Sequence, residues 1–109
     1  LELLLSLALK WGQASGLSLA DTLAPITSRA VAVLGPTLGS LSASAGRLVE
    51  GGVADVCCFD PGVQWQATPQ ALRSQGKHTP FAPSSTEFAL PGQVRLTLVA
   101  GSVAYNAAP

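Results

Sequence analysis

Charge is scarce in this sequence. Only 11% of its 109 residues are Asp, Glu, Lys or Arg, and six acidic residues balance six basic ones. A soluble domain ordinarily carries about a quarter. A neutral, charge-poor chain has no basic stripe for nucleic acid or for an anionic membrane surface. Methionine is absent, and there is a single histidine, His78. The two cysteines, Cys57 and Cys58, are adjacent rather than spaced as C-x-x-C, so with one histidine they make no metal ligand set. Neighbours on a strand point to opposite faces and do not easily pair, so two buried thiols in a reducing compartment are expected. No apolar run reaches the ~20 residues of a membrane span; residues 1–9 are too short and follow no basic leader region. No G-x-S-x-G elbow is present for Ser/His/Asp chemistry. A cytoplasmic chain is expected, with no catalytic, cofactor-binding or metal-ligating residue assigned.

Apolar residues, by contrast, make up 48% of the chain. At this length it is one domain or part of a larger one, and folding buries roughly 60–70% of the extended surface. A surface so poor in charge calls for cover from outside the sequence: a partner, a second copy, or the rest of a longer chain. The absence of an initiator Met, and a helix-like pattern from the first residue, lead us to expect that the chain continues upstream.

The sequence is organised around residues 46–61, GRLVEGGVADVCCFDP. Gly51-Gly52 supplies the backbone freedom of a tight turn, which predicts a hairpin over 46–59. Its second arm, 53–59, is apolar except for Asp55 and is expected to be covered on both faces, with Asp60-Pro61 ending it. Residues 1–11 read as a helix with Glu2, Ser6 and Lys10 as a narrow wet edge, stopped by Gly12. Ser18 and Asp21 resemble a capping box before a short helix that Pro25 interrupts. A third helical piece, 29–34, is capped by Thr27 or Ser28 and ended by Gly35-Pro36. Residues 37–45 form a linker-like loop. A short strand over 63–67, one helical turn over 69–73, and a long loop over 74–93 follow. The alternation Val94, Leu96, Leu98 against Arg95 and Thr97 predicts a strand, turned by Ala100-Gly101 and returning over 102–105. There is no internal repeat.

Gly46, Leu48, Gly51, Ala54, Asp55, Val56, Cys58, Phe59 and Asp60 together resemble the pattern G-x-L-x-x-G-x-x-A-D-h-x-h-h-D. That pattern belongs to the C-terminal part of cyclic-amide amidohydrolases, the dihydroorotase and allantoinase group. Thr27, Leu34 and Gly35 match the family stretch T-x-N-P-A-x-x-L-G, while Arg29, Ala30 and Val31 depart from it. Ser74, Thr79, Pro80 and Phe81, then Leu90, Gly92 and Val94, are similar to the loop S-K-x-x-N-T-P-F and the segment after it. Gln75 and His78 replace the usual Lys and Asn. Gly92, Val94, Thr97, Gly101 and Tyr105 resemble the closing hairpin. The T-P-F loop points to dihydroorotase within the group.

The resemblance implies an α+β chain: the last helices of a TIM-barrel amidohydrolase over 1–36, the linker 37–45, and a small β-sandwich-type C-terminal sheet over 46–109. It implies zinc in an active full-length parent of pyrimidine biosynthesis, held by groups upstream of this chain, with none bound here. The parent is either that enzyme or a non-catalytic paralogue that holds aspartate carbamoyltransferase in an assembly. The implied partners are the upstream barrel portion, a second copy, or aspartate carbamoyltransferase. From the residues alone, an independent α+β interaction module stays open.

Individual residues have plainer readings. His78 reads as a loop histidine bonded to backbone or water. Asp55 and Asp60 are turn caps on opposite faces rather than a paired-carboxylate site. Trp11 and Trp65 are core or interface anchors, since no basic residues interleave with them.

Overall fold

The computed structural model describes residues 2–82 and 88–107. Helices come first, then strands: α1 (Leu4–Ala14), α2 (Leu19–Leu23), α3 (Ser28–Leu34), β1 (Val56–Trp65), β2 (Leu90–Val99) and β3 (Ser102–Asn106). The three strands form one antiparallel sheet in the order β1-β2-β3, with α1 packed on β2. The fold is therefore α+β. Among the described residues the sheet is single, not two facing sheets.

Leucine and alanine make α1 a strong helix former. It runs two residues past the expected stop at Gly12, and the turn closes at Gly16, whose φ is +69°. The Leu17 amide donates to the Gly12 carbonyl across this end. Gly12 serves packing instead: it is buried, and a Cβ there would collide with the side chain of Thr22 on α2. α2 opens as expected, the Ser18 hydroxyl accepting from the Asp21 amide at 3.1 Å. Pro25 turns the chain into a 3-10 turn, Ala24–Ile26, before α3. Thr27 precedes α3 without capping it; its hydroxyl donates back to the Leu23 carbonyl. The stretch expected as a loop from 37 is wound into 3-10 turns over Gly35–Ala43, kinked at Gly39.

The expected hairpin over 46–59 does not form. Gly51 does take a positive φ of +78°, but residues 46–55 are turns and coil, and no strand pairs with β1 from that side. Their bonding partner is a different turn. The Ala100 amide donates to Asp55 Oδ1 at 2.8 Å and the Gly101 amide to the Ala54 carbonyl at 3.0 Å. Ala100 and Gly101 hold φ of +49° and +80°, the pair of positive values that a two-residue hairpin turn requires. The second hairpin, β2 to β3, is thus as expected.

Asp60-Pro61 does not end β1 either. The strand continues to Trp65 by looping out between Asp60, opposite Gln93, and Gln64, opposite Pro91. Pro61 has no amide to pair, so it fits the irregular stretch. Asp60 Oδ1 accepts from the Gly62 amide at 2.9 Å and holds the loop-out closed. The predicted strand over 63–67 is the end of β1. β2 begins at Leu90, inside the span expected as loop to 93.

The core is small. Ala67, Leu72 and Leu90 are buried together, with Leu3, Leu7, Trp65 and Phe88 packed around them. The expected two-sided cover of 53–59 is absent among the described residues: Val53 and both cysteines are exposed. Exposed too are Leu4, Trp11, Leu19, Val33, Leu34 and Leu48. No helix of the described residues is long and apolar enough to cross a membrane.

Candidate functional site

The residues expected to form the wet edge of α1 face the rest of the chain. Ser6 is buried; its hydroxyl donates to the Gly92 carbonyl at 3.2 Å and accepts from Trp65 Nε1 at 3.0 Å. Lys10 Nζ donates to the Ala89 carbonyl at 3.1 Å and lies 4.4 Å from the Phe88 ring centroid. Glu2 accepts from the Arg73 amide through both carboxylate oxygens and from the Ser74 amide at 3.3 Å. The stripe binds backbone groups, because irregular segments packed against a helix offer unpaired amides and carbonyls that only polar side chains satisfy. Leu4 and Trp11, on the other side, are half exposed.

This joint of helix and sheet requires Gly92. Its φ is +92°, and a Cβ there would collide with Leu9 Cδ1. Trp65 is the anchor it was read to be, and Trp11 is not in the core.

Beside the joint lies a cleft of about 600 Å3, whose walls include Glu2, Trp65, Arg73, Gln93 and Tyr105. A second, of about 370 Å3, lies by the start of α1 and is lined by Leu3, Leu72, His78, Thr79 and Phe81. His78 is exposed and makes no hydrogen bond to another described residue. Asp55 and Asp60 are separate turn caps, as read from the sequence.

The cysteines are exposed and unpaired, which corrects the expectation of two buried thiols. β1 is an edge strand, and both cysteines lie on its exposed stretch. Partial desolvation still pushes the Cys57 thiol above its ordinary pKa; Cys58 beside it adds to the rise, and a hydrogen bond with Thr97 opposes it. Among the described residues no three His, Cys, Asp or Glu side chains stand close enough to hold a metal ion. The donor set does not fit a zinc centre.

Known proteins set these features in context. No protein-family model matches the chain, and no solved structure matches it. A dihydroorotase of Syntrophotalea carbinolica is 36% identical over 106 residues, 97% of this chain and 22% of that protein. A dihydroorotase of Syntrophus aciditrophicus is 39% identical over 66 residues, 61% of this chain and 15% of its own length. A dihydroorotase-like protein of Pseudomonas putida is 38% identical over 111 aligned positions, 96% of this chain and 22% of its own length. The chain spans about a fifth of the length of the curated relatives it matches along nearly all its residues. By sequence the chain is dihydroorotase-like, and it corresponds to a C-terminal part of a protein of that kind.

Proposed function

We propose that this chain is the C-terminal portion of a dihydroorotase-like amidohydrolase, joining the end of a (β/α)8 barrel to the β-domain that follows. One observation carries the reading: relatives named dihydroorotase align with 97% of this chain, yet the chain reaches only 22% of their length. A full barrel takes ~250 residues, so it must come from outside these 109. Residues 1–36 are then the helical end of the barrel, 37–45 a linker, and 46–109 the β-domain. The intact cytoplasmic protein opens or closes the cyclic amide of dihydroorotate in pyrimidine biosynthesis. Any zinc of that protein would be held by upstream residues and would supply an activated water for the amide.

The role of this chain in that protein is structural. The polar stripe of α1 fastens the helix to the sheet and to the loop after Leu72. The half-exposed Leu4 and Trp11 then rest on the barrel. Without the barrel, such apolar surface and the open edges of the sheet favour self-association. The test compares the 109-residue chain with the longer polypeptide that contains it, by metal analysis, dihydroorotate hydrolysis and sedimentation. The short chain is expected to bind no zinc, to be inactive and to self-associate. One tightly held zinc per short chain would overturn the structural role, and a stable, well-folded monomer the need for the barrel.

A second reading is favoured by the Pseudomonas putida relative, named a dihydroorotase-like protein, and by Ala30, Gln75 and His78 where the family pattern has Pro, Lys and Asn. In it the parent is a non-catalytic paralogue that supports aspartate carbamoyltransferase assembly. Copurification of the longer polypeptide with that enzyme, without turnover of dihydroorotate, distinguishes it from the first.

A further inference from the structure

α1 covers only part of its face of the sheet. The 600 Å3 cleft beside it draws its walls from separate parts of the chain: Glu2 before the helix, Trp65 ending β1, Arg73 after the turn, Gln93 on β2 and Tyr105 on β3. That volume falls in the range of roughly 300–1,000 Å3 typical of small-molecule sites. Trp65 and the neighbouring Leu5 and Val94 supply apolar surface.

Among the described residues its single cation is Arg73. The guanidinium lies over the Tyr105 ring, 5.7 Å from the centroid, and pairs with no described carboxylate. Glu2, the acid that shares the cleft, is already engaged by the Arg73 and Ser74 amides. The strand register extends the polar wall. Thr97 stands opposite both Cys57 on β1 and Tyr105 on β3, so thiol, hydroxyl and phenol form one row across a face of the sheet. Arg73 stands at the Tyr105 end of that row.

We propose that this cleft binds a small organic monocarboxylate, its carboxylate on Arg73 and its apolar body against Trp65. A guanidinium held over a ring presents its donors as a fixed fork, which matches the two oxygens of a carboxylate. Glu2 is held by backbone amides, which leaves the Arg73 guanidinium to face one anionic group; a phosphate dianion would bring a second negative charge that no further described cation in the cleft offsets. The site is independent of the dihydroorotase reading and stands or falls separately from it.

The probe is benzoate, with neutral benzamide and dianionic phenyl phosphate as comparisons, titrated into the 109-residue chain carrying Trp11→Phe. Trp65 is then the sole indole reporter. Saturable quenching by benzoate is expected, with benzamide and phenyl phosphate each at least about tenfold weaker. Amide resonances of Arg73, Gln93 and Tyr105 should shift on titration. Arg73→Gln should weaken benzoate about tenfold, and Arg73→Lys should restore part of the loss. The comparison of benzoate with benzamide needs no change at Arg73, so it holds even where a variant misfolds. Equal response to the two, tighter phenyl phosphate, an unaffected Arg73→Gln variant, or no saturable response would each overturn the proposal. So would a structure of the longer polypeptide with upstream residues seated on Trp65 and Arg73, because the cleft would then be a seam filled by its own chain.

Discussion

Ser6 and Gly92 lie 86 positions apart in the chain, and the serine hydroxyl donates to the glycine carbonyl at 3.2 Å in the fold. The same oxygen accepts from Trp65 Nε1, so one side chain ties α1 to two strands. Ser6→Ala leaves an indole N–H and a carbonyl without that partner. A loss of about 2 kcal/mol is expected, read as a lower urea midpoint by Trp65 fluorescence. A shift within measurement error would show that water replaces the hydroxyl at no cost.

Gly92→Ala should cost more. Its backbone lies in the left-handed region and Leu9 occupies the space of a Cβ. The two effects together amount to about 2–4 kcal/mol. Leu9→Ala removes the collision but not the φ strain. In a double-mutant cycle the pair should therefore be less destabilised than the sum of the single variants. Strict additivity would place Leu9 away from position 92.

Asp55 holds the turn between β2 and β3 by one carboxylate oxygen. Asp55→Ala should lower stability by about 1 kcal/mol, and Asp55→Asn, which keeps an acceptor, by less. Thermal melts of the two variants check this. Equal losses would mean that charge rather than the acceptor matters.

Much of the helical part was legible because its signals are local. Ser18 and Asp21 announce a cap, and Gly35 an end, through residues within one turn of each other. The β2–β3 hairpin was legible for the same reason, from alternation and Ala100-Gly101. What could not be read was long-range. Nothing near Gly51 reveals that Ala54 and Asp55 bond to a turn 45 residues on, so the glycines suggested a local hairpin instead. Periodicity alone assigned Glu2, Ser6 and Lys10 to water; only the fold brings Gly92, Ala89 and the Arg73 amide to them. The cleft around Arg73 and Tyr105 was missed because its walls are scattered over residues 2–105 and carry no motif.

Cys57 gives a prediction in pH. Its raised pKa disfavours the thiolate in the folded chain. Alkylation by iodoacetamide near pH 8 should be slower than in the unfolded chain, and the two rates should converge as pH rises through the folded value. Thr97→Val removes the hydrogen bond that opposes the shift, so it should slow labelling further. The linked stability is fully present below the unfolded pKa and is lost as pH rises through the folded one. Labelling at the unfolded rate, checked by mass spectrometry, would contradict this.

Hydrogen exchange should be slowest in β2, the strand bonded on both sides, rather than over 53–59 as the apolar run suggested. Residues 53–55 lie outside the strands. Slower exchange at Val53 than at Leu96 would reverse the order.

The 86-residue span between Ser6 and Gly92 also bears on the order of folding. The β2–β3 hairpin closes over two residues and can form in microseconds. β1 joins it across the loop from Trp65 to Leu90, and α1 docks across nearly the whole chain. Each wider closure costs more chain entropy before its contacts repay it. Substitutions in the hairpin should therefore slow refolding, whereas those at Ser6 should chiefly speed unfolding. On a ribosome the consequence is sharper still. α1 leaves the exit tunnel before the strands do, but Ser6 and Lys10 have no backbone partner until Gly92 and Ala89 have been made, so both wait solvated while the residues between are synthesised.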